Sequence, residues 1–358
     1  SRLFSPLVGF LSGWVSFLVG FSAPVAASSL AFSEYMIRIL PPGYVPEEIE
    51  LVKKALAVGI ILVFTLIHYF GLRSGSRVQN FLTVLKIGLI LVFILAGFAF
   101  GEGSFDHFRP QDGISFPATT AKTIGLALMW ILFAYSGWNA STYVGSEVYN
   151  PVKNIPRSLL IGTFSVTVLY LLLNILYVYA VAPLEMKGVI SIGGLTANNL
   201  FNRSMDQLFS LFIALILLSA ISVLTIIGPR VYFAMAQSGH FFGMARRINR
   251  SRVPGISILM QSSLAIIYVI SGTFEQIITF LSFSLGIFPI LVVLGVFKLR
   301  MQKQSVMRMP GYPLLPAFFI LSSAIILILA FLERPVESSI ALGVVVVGIP
   351  TFYLLRRS

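Results

Sequence analysis

Apolar runs of about 20 residues, each closed by a short polar or charged segment, recur along this chain. A run of that length is what an α-helix needs to cross a ~30 Å hydrocarbon core at ~1.5 Å per residue. The pattern predicts about ten spans, over 6–37, 53–72, 80–101, 121–148, 157–182, 205–236, 257–273, 275–299, 314–333 and 336–355. The alternating apolar and polar positions of a membrane barrel are missing. The first run is long enough to tilt or overhang the bilayer. Its small residues Ser22, Ala23, Ala26, Ala27 and Ser28, beside Pro24, predict close packing against neighbours. Connections are short except at about 102–120, 183–204 and 237–256, and no Ser/Gly linker divides the chain. The expected architecture is one polytopic transmembrane domain over 1–358, an all-α integral membrane fold.

The run at 121–148 differs from the others. Its stretch Phe133-Ala134-Tyr135-Ser136-Gly137-Trp138-Asn139 begins about ten residues in, ~15 Å deep and near the midplane. Ser-Gly followed by Asn is poor helix material, and Gly137 permits backbone angles that other residues resist. Unwound backbone at that depth is tolerated only where protein buries it or where it lines a cavity. Broken helices at the midplane build the substrate sites of secondary transporters, so the chain reads as a transporter with a broken helix at about 121–148. The competing reading is a Gly/Ser kink packed against another helix.

Composition agrees: 57% of residues are hydrophobic and 11% charged, with mean hydropathy +0.93, which excludes a soluble globular domain. The net charge of +12 is explained by topology rather than by nucleic acid. With the N-terminus cytoplasmic, sixteen of the 25 basic residues fall on inside segments and eight outside, with Lys86 within a span. That bias places both termini in the cytoplasm of a multi-pass protein of the cell (cytoplasmic or plasma) membrane. Arg246, Arg247, Arg250 and Arg252 then read as an anchor near anionic lipid. The absence of cysteine excludes disulfides, thiolate metal sites and any disulfide-linked accessory subunit. His68, His107 and His240 stand far apart without metal-ligand spacing, so neither metal nor cofactor is expected. An integral-membrane enzyme would gather acids, histidines or a metal at one face, and no such cluster is apparent, so no enzyme activity is expected. The chain begins at Ser1 without a signal pattern, and the expectation is an N-terminally incomplete version of a longer protein.

Four segments in order, Arg77-Val78-Gln79-Asn80-Phe81-Leu82-Thr83-Val84-Leu85-Lys86, the Phe133–Asn139 stretch, Ser146-Glu147-Val148-Tyr149-Asn150-Pro151 running on to Lys153-Asn154-Ile155-Pro156-Arg157, and Gly228-Pro229-Arg230 leading to Ala234-Met235-Ala236-Gln237-Ser238-Gly239, carry a resemblance. They resemble the amino acid–polyamine–organocation permease superfamily, in its bacterial neutral-amino-acid and L-type transporter branch. The resemblance implies a LeuT-like inverted-repeat helical bundle of twelve helices, of which about ten are present and the first two are not. Those two include the family's glycine-rich broken first helix, which meets the substrate carboxylate.

The resemblance also implies roles for individual residues. Phe133, Ala134, Tyr135, Ser136, Gly137, Trp138 and Asn139 would form the unwound substrate segment, with Phe133 closing over a bound amino acid. Ser219 and Ser222 share one face of the sixth span, and Ser222 matches a pocket-lining position; the alternative is serine back-bonding to the preceding turn. Lys86, ~10 Å below its boundary, would stand where sodium sits in sodium-driven cousins; the alternative is a lysine snorkelling to the interface. From the charges themselves, and not from the resemblance, Glu147, Arg157 and Arg230 read as an intracellular gate at the inner end of the broken span, or else as a solvated helix end. Glu34 and His68 read as packing or interface residues. Aromatic and small polar walls without an evident acidic partner favour neutral amino acids, moved by alternating access as a proton symporter or an exchanger. The alternatives are a permease for cationic amino acids or polyamines, or a non-transporting membrane amino acid sensor.

Overall fold

The computed structural model describes residues 4–40, 48–71, 75–109, 118–137, 148–303, 309 and 311–357. Each of the ten apolar runs carries a helix, and the described residues contain no strand. Eight helical stretches are long and apolar enough to cross a membrane, while Ala121–Ala134 and Gly255–Ser271 are shorter apolar helices. In chain order the helices are α1 (Pro6–Val15), α2 (Ser22–Arg38), α3 (Ile49–Tyr69), α4 (Gly75–Phe100), α5 (Ala118–Ala134), α6 (Pro151–Ala180), α7 (Ile192–Leu200), α8 (Arg203–Gln237), α9 (Gly255–Ser271), α10 (Phe274–Met301), α11 (Leu314–Glu333) and α12 (Pro335–Arg357).

Local chemistry sets several boundaries. Asn202 caps α8, its Oδ1 accepting from the Met205 N–H at 3.0 Å. Thr273 and Gln276 form a reciprocal capping box at the start of α10. Between α1 and α2 the chain makes a π-helical turn over Ser16–Phe21. Pro24 has no N–H to offer the Gly20 carbonyl and its ring crowds that position, which favours a widened turn just upstream. The carbonyls in this turn find other donors: Ser22 Oγ bonds Phe17 O at 2.9 Å and Tyr268 OH bonds Leu18 O at 2.8 Å.

Helix α2 lies at the centre, against α3, α8, α9 and α10. Ser22, Ala23, Ala26 and Ala27 are buried, and these small side chains let neighbouring backbones approach. Polar pairs fix the directions of the helices. Glu34 near the end of α2 meets Lys53 near the start of α3 at 2.8 Å, so these two run antiparallel. The Lys54 ammonium donates to Ile270 O at 2.9 Å, while Thr65 and Ser262 hydroxyls lie 2.7 Å apart, so α3 and α9 are also antiparallel. A large apolar cluster fills this region, including Val19, Ala26, Ile61, Ile221, Ala265 and Leu281. A smaller one, with Phe93, Ile94, Leu176 and Leu200, joins α4, α6 and α7. Helix α5 rests on α10 and α11, and α12 on α1 and α10. Phe164 (72% exposed), Phe318 (70%) and Leu95 (68%) point away from the bundle. So much outward apolar surface suits a lipid environment and would drive aggregation in water.

Candidate substrate site

Helix α5 ends at Ala134. Trp130 ties it to α10, its indole N–H donating to Thr279 Oγ1 at 3.3 Å. The last turn tightens: the Tyr135 N–H reaches Ile131 O at 3.1 Å, but the Ser136 N–H reaches only Phe133 O, at 2.8 Å. Gly137 follows with φ +94°, a conformation that L side chains resist. None of the described residues lies within 4 Å of where a Cβ would project, so among them the backbone angle, and not lack of room, calls for glycine there. Phe133 is half-buried and shares the main apolar cluster with Ile221 and Leu224 of α8. Tyr135 packs edge-on against Tyr170 of α6 with ring centroids 5.3 Å apart, and Tyr170 OH donates to Ala134 O at 3.3 Å. Ala134, Ser136 and Gly137 are exposed. Trp138, Asn139 and Glu147 lie outside the described residues.

The serines stand on α8. Ser219 is buried; Ser222 is half-buried, with its Oγ 3.0 Å from His68 Nε2 on α3. Lys86 is half-buried on α4, and its ammonium joins no ion pair or hydrogen bond among the described residues. Arg157 on α6 and Arg230 on α8 are exposed, and neither joins an ion pair among the described residues. Helix α5, which carries Phe133, packs chiefly on α10 and α11, whereas α4, which carries Lys86, packs on α6, α7 and on α8, the helix of Ser222. Among the described residues no group of three or more His, Asp or Glu side chains is placed to hold a metal ion.

Two arrangements escaped the sequence reading. The first surrounds Asp206, which is fully buried in the first turn of α8. Arg38, in the last turn of α2, grips it with both prongs, Nε to Oδ1 at 2.9 Å and Nη2 to Oδ2 at 2.8 Å. Arg203 Nη1 adds a bond at 3.1 Å and Ser210 Oγ another at 3.0 Å. Arg38 Nη1 also reaches Ser191 Oγ at 3.3 Å, which brings in the lead-in to α7. Gly194 is packed so tightly here that a Cβ would press on Asp206 Oδ1 and Ser210 Oγ. The only sequence signal was Arg203 and Asp206 spaced i,i+3 at a helix start. The second is the pairing of His68 with Ser222, for which a lone histidine in an apolar run was the signal.

A family model described as amino acid permease matches residues 1–351. Over 335 residues the chain is 28% identical to b(0,+)-type amino acid transporter 1 of Mus musculus, covering 93% of this chain and 68% of that relative. It is also 28% identical to large neutral amino acids transporter small subunit 2 of Rattus norvegicus over 356 residues, 98% of this chain and 66% of the relative. The Homo sapiens protein of the same name is 27% identical with the same coverage. The chain thus spans about two thirds of the length of the curated relatives it matches.

Proposed function

The chain belongs to the amino acid permease family, and from that premise we propose that it moves amino acids across a membrane as a secondary transporter working by alternating access. The observation that supports this most directly is the end of α5 at Ala134, followed by the left-handed Gly137 inside an otherwise helical apolar bundle. A helix C-terminus presents carbonyls and a partial negative charge, which suits a substrate ammonium. Phe133 closes over the substrate, and Ala134, Tyr135, Ser136, Gly137, Trp138, Asn139, Ser219 and Ser222 supply the remaining contacts. Walls of aromatic and small polar groups favour neutral side chains. Two relatives carry large neutral amino acids in their names, which supports that choice.

Lys86 supplies a fixed or titrating cation where sodium-driven relatives would hold an ion, and coupling runs through protons or through counter-flow of a second amino acid. Glu147, Arg157 and Arg230 act at the cytoplasmic gate. Both termini of the chain face the cytoplasm of the cell membrane, as the sixteen-to-eight distribution of basic residues directs. No disulfide joins these 358 residues to a companion subunit, since none of them is cysteine.

The test is uptake of a panel of labelled neutral, cationic and acidic amino acids by cells expressing the complete reading frame, wild type and Phe133→Ala. Neutral amino acids are expected to enter by a saturable route, and Phe133→Ala to raise KM about ten-fold or more through loss of its aromatic contact with the substrate. Saturable uptake of cationic substrates alone, or a KM indifferent to Phe133, would overturn the assignment.

A further inference from the structure

A titratable side chain inside an apolar span is a functional candidate by default. Beyond Lys54, helix α3 is uncharged until His68, one residue before its end. The imidazole lies nearly parallel to the Phe64 ring, with centroids 6.0 Å apart, and holds Nε2 at 3.0 Å from Ser222 Oγ on α8. We infer that His68 is a positioning residue for the substrate site, setting the direction of the Ser222 hydroxyl according to its own protonation. The inference rests on the reading above that Ser222 lines that site.

The chemistry follows from what each ring state can do. A neutral imidazole can accept the Ser222 proton at Nε2, leaving the oxygen's lone pairs free to receive a donor from the substrate. An imidazolium carries protons on both nitrogens and can only donate. Ser222 Oγ must then accept from the ring, and its own proton swings away, toward the carbonyl of Leu218 one turn back or toward the substrate. Where the neutral ring carries its proton on Nδ1, one added proton on His68 therefore reverses the hydrogen-bonding sense of Ser222 without moving a helix.

Among the described residues few other charges compete for this pair. The titratable and charged groups on α2 are Glu34, Tyr35 and Arg38, bonded to Lys53, to the Gly193 N–H and to Asp206. On α8, Arg203 and Asp206 hold one another, Tyr232 OH donates to Gln261 Oε1 at 3.1 Å, and Arg230 is exposed. On α9, Tyr268 is bonded to Leu18 O. The segment against the end of α3, where Asn249 Nδ2 donates to Tyr69 O at 2.7 Å, carries Arg246, Arg247, Arg250 and Arg252, all exposed and screened by solvent. In the proposed orientation that end is cytoplasmic, so His68 answers to cytoplasmic pH.

The test uses protein from the complete reading frame in liposomes, with labelled neutral amino acids and the pH on the His68 side varied from about 5.5 to about 8, the range in which histidine titrates. KM of the wild type is expected to change about five-fold across the range, the size of one hydrogen bond, with little change in maximal rate. His68→Gln and Ser222→Ala should both flatten that profile, and thermal melts verify that each variant folds. The same pH series is read a second way, by the rise in melting temperature that the amino acid produces, which needs binding but no flux. A flat wild-type profile, or His68→Gln retaining the wild-type profile in either readout, overturns the inference. Binding that follows pH through His68 while no flux occurs would instead overturn the transport reading and leave this inference standing.

Discussion

Asp206 shows how a carboxylate with no solvent exposure is held in an apolar bundle: two guanidinium groups and a hydroxyl bond it at 2.8–3.1 Å. Such a site is secure while complete and costly when one member is lost, because the charges left behind stay desolvated. Asp206→Ala is expected to cost about 3–5 kcal/mol, seen as a lower melting temperature of the purified protein, and Gly194→Ala to shift it in the same direction by less. An unchanged melting temperature for Asp206→Ala would mean that the cluster is not a structural anchor. The sequence showed Arg38 and Arg203 only as two basic residues near span ends. Arg38 and Asp206 are 168 residues apart, and no local spacing can pair side chains across that distance. His68 read as a packing or interface residue for the same reason: Ser222, 154 residues further on, gives it its bond.

Helices were the most legible level, because bilayer thickness dictates the length of an apolar run and solvent dictates its polar ends. The run read as 205–236 is α8, Arg203–Gln237, extended by the Asn202 cap at its start. The π-helical turn at Ser16–Phe21 was not legible, since its residues are ordinary apolar ones and Pro24 was read only as a companion to small side chains. At the end of α5 the prediction concerns backbone alone. Gly137→Ala adds a methyl group that meets none of the described residues but strains a φ of +94° by about 1–2 kcal/mol. Transport is expected to fall several-fold while expression stays near wild type. Gly162→Ala in α6, also with nothing within 4 Å of the added carbon, should leave transport intact and serves as the comparison. Equal effects of the two substitutions would remove any special role for the turn after Ala134.

For the molecule as a whole, orientation and flux are the properties to test. None of these 358 residues is cysteine, so a thiol introduced among them is read against the complete protein without it. With a membrane-impermeant maleimide on intact cells, Lys187→Cys is expected to label and Arg250→Cys only after the membrane is opened; the reverse pattern would invert the proposed orientation. The charge count predicts that arrangement, yet it does not say which residues meet around a substrate, because Phe133, Ser222 and Lys86 lie on different helices with different neighbours. The measurement that bears most directly on the central claim is flux in proteoliposomes holding the protein from its complete reading frame. Labelled neutral amino acid would be supplied in sodium-free buffer, with and without an inward proton gradient or a preloaded amino acid inside, for the wild type and Lys86→Ala. Saturable uptake driven by the gradient or by preloading, and lost in Lys86→Ala, is the predicted result. No uptake of any neutral amino acid under either driving force would contradict the account.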